Sequence, residues 1–273
     1  MEMDMKEKAI GVFDSGLGGL TVVRELLRQM PHEDIIYFGD TGRVPYGTKS
    51  NHIIEKYAAQ DIRFLLSKNV KMIIAACGTV SSVVPHLGDA LTIPYTGVVQ
   101  HAAHRAAQLT RSGSIGVLGT TATIRSGSYR RALAALNPAL EVHQTDCPLF
   151  VPLVENNTIS PDDPVPLEIA RRYLAPILAA GVDTLILGCT HYPLLAPILS
   201  KVAGSGVRLV DAGEETALYT YDILKQRDLL NPSGKGNHSF FVSDRIDNFT
   251  QVASLYLDMD MSSAIEKIDI ESY

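Results

Sequence analysis

Two of the three cysteines in this 273-residue chain stand at the same kind of address. The apolar run 70–76 leads into Cys77 and the turn CGTVSS, and the apolar run 182–187 leads into Cys189 and the turn GCTHYP. Both positions read as the carboxyl end of a strand just before a helix, where the N-terminal helix dipole favours a thiolate. A lone cysteine at such a place is ordinarily a small buried hydrophobe. Two of them, in corresponding loops of two similar halves, can face one ligand from opposite sides. Opposed thiols suit one task well: a carbon acid loses its proton to one face and regains it on the other. A thiol of ordinary pKa, about 8.5, is mostly protonated near neutrality, so each half-reaction pairs a thiolate base with a thiol acid. Asp14, His191 and Glu155 supply carboxyl and imidazole groups able to hold the exchanging protons.

Other uses of these residues fit less well. The pair Cys189 and His191 lacks a nearby second pair of ligands, so no zinc site is expected. Cysteine–histidine hydrolysis would leave the second cysteine idle. Cys147, in TDCPLF, has no counterpart and reads as structural. DSGLGG, residues 14–19, is neither a dinucleotide fingerprint nor a P-loop, since Thr21 takes the last glycine's place and no Gly-Lys-Ser/Thr follows. Its plain reading is a tight turn with Asp14 or Ser15 as a helix cap.

The elements that position these residues alternate. Strands are expected at 9–13, 34–39, 71–76 and near 96–99, with helices at 20–30, 51–68 and 80–91, the last kinked or shortened by Pro85. The pattern then restarts. Helices are expected at 101–109, 126–136, 167–180 and 194–202, and strands at 114–118, 141–144, 183–187 and 208–210. IGVFDSG resembles IGVLGTT, and IIAACGT resembles LILGCTH, in matching order. The tail adds a helix at 214–230, the strand SFFVS and a helix near 248–257. The fold class is therefore α/β: two similar domains with mostly parallel sheets covered by helices, and the active site in the cleft between them. The boundaries expected are 9–97 together with a returning tail, 212–273, for the first domain, and 98–211 for the second. In open α/β sheets ligands sit beyond the carboxyl ends of strands. That rule selects the loops DSGLGG, GDTGRVPYG, CGTVSS, GTTAT and GCTHYP.

Hydrophobic residues make up 46% and charged residues 20% of the chain, ordinary for a globular protein. A formal net charge of −6 with no basic block gives no attraction for nucleic acid or anionic lipid. Three widely spaced cysteines make no disulfide framework and fit a reducing compartment. No apolar run reaches the ~18 residues of a membrane helix, and the N-terminus lacks a secretory core. The protein is therefore expected in the cytoplasm.

The motifs IGVFDSGLGGLTV, YFGDTGRVPYGTKS, ACGTVSS and GCTHYPLL, in that order, closely resemble those of the glutamate racemases, in the cofactor-independent aspartate/glutamate racemase superfamily. The resemblance runs through residues 10–212. It implies interconversion of L- and D-glutamate, D-glutamate being supplied for peptidoglycan, by a homodimer that needs no cofactor or metal. It also implies roles: Cys77 takes the α-proton of D-glutamate and Cys189 that of L-glutamate, with Asp14 assisting Cys77, and His191 and Glu155 assisting Cys189. Asp14, Ser15, Pro45, Tyr46, Gly47, Gly78, Thr79, Thr120, Thr123 and Thr190 match positions that line the family's substrate pocket. One residue departs from the pattern: the family usually has Asn after the first cysteine, where Gly78 stands here. The same enzyme class with another substrate, such as aspartate or a hydantoin, is the nearest alternative. A chiefly partner-binding role, as for relatives said to bind DNA gyrase, has no marked surface in the sequence.

Overall fold

The computed structural model describes residues 4–232, 234–244, 246–257 and 265–273. Ten strands follow in order: β1 Ile10–Asp14, β2 Ile35–Gly39, β3 Met72–Ala75, β4 Tyr95–Gly97, β5 Ser114–Gly119, β6 Glu141–Asp146, β7 Thr184–Leu187, β8 Arg208–Asp211, β9 His238–Val242 and β10 Ile265–Lys267. They form two sheets, ordered β10-β9-β2-β1-β3-β4 and β6-β5-β7-β8. Every described strand pair is parallel. Within each half the strands run second, first, third, fourth, so β3 and β7 occupy equivalent inner positions. All residues of β1, β3, β5 and β7 are buried. That is the signature of parallel strands covered on both faces, and it explains why these segments read as apolar runs rather than alternating patterns.

The helices are α1 Leu20–Gln29, α2 Asn51–Ser67, α3 Gly78–Val83, α4 Val99–Leu109, α5 Thr121–Ser126, α6 Ser128–Leu136, α7 Phe150–Glu155, α8 Pro164–Ala179, α9 Ala196–Ala203, α10 Ala212–Gln226 and α11 Ile246–Leu257. Several differ from the periodicity reading. The helix expected at 80–91 is α3 alone, ending before Pro85, which instead opens a 3-10 turn at Pro85–Gly88. The helix expected at 126–136 is α6; α5, just before it, was not expected, and Gly127 at φ 67° separates the two. The helix expected from 167 begins earlier, where Asp163 caps Val165 N–H and Pro164 stands in the first turn. Neither α7 nor β10 was expected; each is short, with a pattern too brief to establish a period.

The tail comes back to the first sheet. β9 pairs with β2 in register, Tyr37 opposite Phe240, and β10 extends that edge. Lys71, wholly buried, ties this return down. Its Nζ lies 2.5 Å from Glu33 Oε2 and donates to the carbonyls of Lys6 and Leu229. Asn231 N–H donates in turn to Glu33 Oε1. A buried charge is tolerable only with partners of this kind.

Candidate active site

The carboxyl ends of both sheets open on one cavity of about 330 Å³. The loops after β1, β2, β3, β5, β6 and β7 all reach it, as parallel topology requires. Cys77 and Cys189 both line it. Each is held by the end of its strand. Ala76 N–H donates to Phe13 O, which fixes the exit from β3 and leaves Cys77 as the residue capping α3. Gly188 N–H donates to Leu118 O, which fixes the exit from β7. The sulfurs are 4% and 7% exposed by residue, so they face the cavity rather than bulk water.

Around Cys77 the polar partners are few. Its thiol donates to Ser15 Oγ at 3.5 Å. Burial pushes this thiol up to about 12, with the negative charge of Asp14 and that of Cys189 adding to the effect, against the Ser15 hydroxyl and the Val80 N–H. The helix-start position therefore does not yield the stabilised thiolate that the sequence suggests. Desolvation and a neighbouring carboxylate outweigh six residues of helix dipole. Asp14 itself is wholly buried and is not part of the cavity wall. Its Oδ2 accepts from Gly16 N–H at 2.9 Å and its Oδ1 from Thr190 Oγ1 at 3.3 Å. Burial raises its carboxyl above the usual range, although the charge of His191 and the hydrogen bonds of Gly16, Gly19 and Thr190 oppose this.

Cys189 has a different setting. His191 Nδ1 lies 3.8 Å from Sγ. The other ring nitrogen lies 3.3 Å from Glu155 Oε1, at ion-pair distance but off the line of a hydrogen bond. Burial works against charge on this ring, but the contacts to Cys189 and Glu155 and the charges of Cys189 and Asp14 prevail, raising it to about 10. His191 is thus an imidazolium at neutral pH, inside the site. Glu155 reaches it from the end of α7, the helix that periodicity missed.

The remaining matched positions divide into a wall and a row behind it. Ser15, Pro45, Tyr46, Gly47, Gly78, Thr79, Thr120 and Thr190 line the cavity. Thr79 Oγ1 and Thr120 Oγ1, from different sheets, are 3.1 Å apart and share a hydrogen bond. Thr123 is wholly buried behind Thr120, accepting from its hydroxyl at 3.0 Å and donating its own N–H back to Thr120 Oγ1. Asp14 and Thr123 therefore stand behind the wall, where sequence placed them against substrate. Tyr46 is anchored from below, its hydroxyl on the carboxylates of Asp40 and Asp61, with Arg43 bridging both acids.

Val44, Thr48, Thr121, Cys147, Pro148, Val151 and Pro152 also line the cavity and were not singled out from the sequence. The strand-end rule would have pointed to Cys147 and Pro148, which directly follow β6, had the expected strand 141–144 been extended to Asp146. Cys147 sits in the wall with Sγ 3.6 Å from Thr145 O, its thiol raised by burial. Among the described residues no group of three or more His, Cys, Asp or Glu is placed to hold a metal. Nor is any described helix long and apolar enough to cross a membrane.

Residues 10–220 match the Asp/Glu/Hydantoin racemase family. The glutamate racemase of Geobacter metallireducens is 48% identical over 255 residues, covering 93% of this chain and 94% of that protein. The crystal structure of Francisella tularensis glutamate racemase in complex with D-glutamate superposes with a TM-score of 0.91 at 36% identity, covering 98% of this chain and 100% of that one. Escherichia coli glutamate racemase, solved with L-glutamate and the activator UDP-MurNAc-ala, gives 0.78 at 27% identity, over 96% and 98%.

Proposed function

This chain belongs to the Asp/Glu/Hydantoin racemase family, and we propose that within it the protein interconverts L- and D-glutamate by two-base proton transfer between Cys77 and Cys189. The observation that carries the reading is the equivalence of β3 and β7. Two sheets of the same strand order each deliver one cysteine into one cavity.

The chemistry follows from the different surroundings of the two sulfurs. In the direction from L to D, Cys189 as thiolate takes the α-proton. The electron pair of the broken C–H bond passes into the adjacent carboxylate, and Cys77 as thiol protonates the opposite face. Cys77, raised to about 12 and donating to Ser15, rests in the acid form this step needs. Each turnover leaves the two sulfurs with exchanged protonation. In the reverse direction Cys77 is the base and Cys189 the acid. His191, charged and close to Cys189 Sγ, is the group that restores the proton on that side. Glu155 holds the imidazolium in place. Asp14 acts on Cys77 through its charge, from behind the wall.

The cavity wall offers the hydroxyls of Ser15, Thr79, Thr120, Thr121 and Thr190, suited to carboxylate oxygens, and among the described residues no lysine or arginine lines it. A dicarboxylic amino acid fits that lining better than an apolar one. We place the enzyme in the cytoplasm as a homodimer that supplies D-glutamate for peptidoglycan.

A panel of enantiopure amino acids, followed by circular dichroism without added cofactor, tests the reading. Loss of signal from both glutamate enantiomers at equal kcat/KM is expected, with one α-deuteron per product molecule in D₂O. A preference for aspartate or a hydantoin would overturn the substrate, and no racemisation at all would overturn the activity.

A further inference from the structure

A second cleft, of about 600 Å³, adjoins the catalytic cavity. The two share Gly47, Thr48 and Thr121, which stand at the border between them. The cleft lies between the start of α2 and the helix α5, one from each half of the molecule. Its wall differs in charge from that of the cavity. Lys49 lines it from the first half and Arg125 from the second, and among the described residues no aspartate or glutamate does. Both cations are placed by the loops that build the catalytic wall. Lys49 N–H donates to Tyr46 O at 3.0 Å, and α5 starts where Thr120 Oγ1 accepts from Thr123 N–H. Neither charged group has an ion-pair partner among the described residues. A lone unpaired cation is ordinary on a surface. Two that share one cleft, from opposite halves and beside a cavity without a cation of that kind, call for an anion.

The charge count points the same way. Glutamate carries two carboxylates and one ammonium, and a formal net charge of −6 on the chain repels it at long range. The cavity supplies little to offset this, because Glu155 stands against the charge of His191. At the cleft, Asp146 accepts from Thr121 Oγ1 at 2.9 Å and sets one negative charge against the two positive ones. The sum of these three groups is positive. A cleft lined by one sign of charge concentrates small ions of the other sign, and loses that power as salt screens it.

We propose that the cleft carrying Lys49 and Arg125 is an anion-collecting vestibule, which concentrates a small carboxylate before it passes Gly47 and Thr121 into the catalytic cavity. That the carboxylate is glutamate rests on the racemase reading above. That the cleft gathers small carboxylates does not.

The test compares Lys49→Gln/Arg125→Gln with Lys225→Gln. Lys225 lies in the last turn of α10, towards the opposite end of the strands, where Leu229 O binds Lys71. Iodoacetate and iodoacetamide both alkylate a thiolate with loss of iodide, and differ in charge. The ratio of their rates at Cys77 and Cys189, resolved by peptide mass spectrometry, therefore reads the potential at the cavity independently of activity and of thiol ionisation. At about 0.01 M salt, where the Debye length is about 30 Å, the double variant is expected to lose about fivefold in iodoacetate rate. Its iodoacetamide rate is expected to be unchanged. At about 1 M salt the variant and the wild type are expected to agree. KM for both glutamate enantiomers is expected to rise about fivefold at low salt with kcat nearly unchanged, the mark of lost ground-state attraction. Lys225→Gln is expected to match the wild type throughout, and Lys49→Arg to keep the wild-type ratio.

A wild-type ratio in the double variant would overturn the vestibule, whatever the racemisation rate. A lowered ratio with unchanged KM would overturn glutamate as its ligand. A lowered ratio in a protein that racemises no amino acid would uphold the vestibule and overturn the reaction. Each single variant is expected to show part of the effect, so a folding defect confined to the double variant leaves the test standing.

Discussion

Glu155 Oε1 and His191 Nε2 lie 3.3 Å apart, and the opposite nitrogen of that ring faces Cys189 Sγ at 3.8 Å. The three groups form a line from α7, through the imidazole, to the sulfur. Cys77 has no such line among the described residues, where its side-chain hydrogen-bond partner is the Ser15 hydroxyl. The two halves of the site are alike in backbone and unlike in proton supply.

Cys77→Ala and Cys189→Ala each lower kcat/KM for both glutamate enantiomers by at least about 10³-fold, since each removes a proton-transfer group without substitute. Cys147→Ala keeps most of the activity, although Cys147 sits in the cavity wall. Steady-state racemisation by circular dichroism decides this. A rate near wild type in either of the first two variants would sink the two-thiol mechanism.

His191→Asn lowers kcat/KM by about 10²-fold, within the range for a positioned acid–base group. Enantiomers have equal free energy in solution, so kcat/KM must fall by the same factor in both directions. Glu155→Gln, which leaves His191 in place but removes its ion pair, has a smaller effect of the same kind. Full time courses from each pure enantiomer measure the two factors, and an unchanged His191→Asn rate would exclude the relay.

Asp14→Asn keeps an acceptor for Gly16 N–H and removes a negative charge that raises the Cys77 thiol. The thiol is then expected to ionise at lower pH. The measurement is the pH dependence of Cys77 alkylation, with Cys147 and Cys189 both changed to Ala. A titration unmoved from that of the background protein would show that Asp14 has no electrostatic hold on Cys77.

His191 gives stability a definite pH dependence. Its folded-state pKa, about 10, lies above the ordinary value of 6.5. The folded protein therefore binds this proton more tightly than the unfolded chain does. The stabilisation is fully present below pH 6.5 and is lost as pH rises towards about 10. The Tm of wild type minus that of His191→Asn should be larger at pH 6 than at pH 10. A difference that does not change with pH would mean that the ring is neutral in the folded state.

Much of this architecture was legible in the chain. Runs such as 70–76 and 182–187 are mostly apolar, without period-two alternation, because β3 and β7 are covered on both faces, and that made the strands and their order readable. The repeat of IIAACGT as LILGCTH placed both cysteines at equivalent strand ends, and a parallel sheet puts such ends at its ligand-binding edge. What sequence could not decide was set by burial and by contacts distant along the chain. Asp14, the last residue of β1, is held behind the wall by Gly16 N–H and Thr190 Oγ1, and Thr123 by its hydrogen bonds with Thr120. Glu155 reaches His191 only through α7, a helix too short to show a period. Spacing suggested two thiols favoured as thiolates. Desolvation, together with the Asp14 charge, instead holds Cys77 as a thiol, an effect that exists only once the chain has excluded water from both.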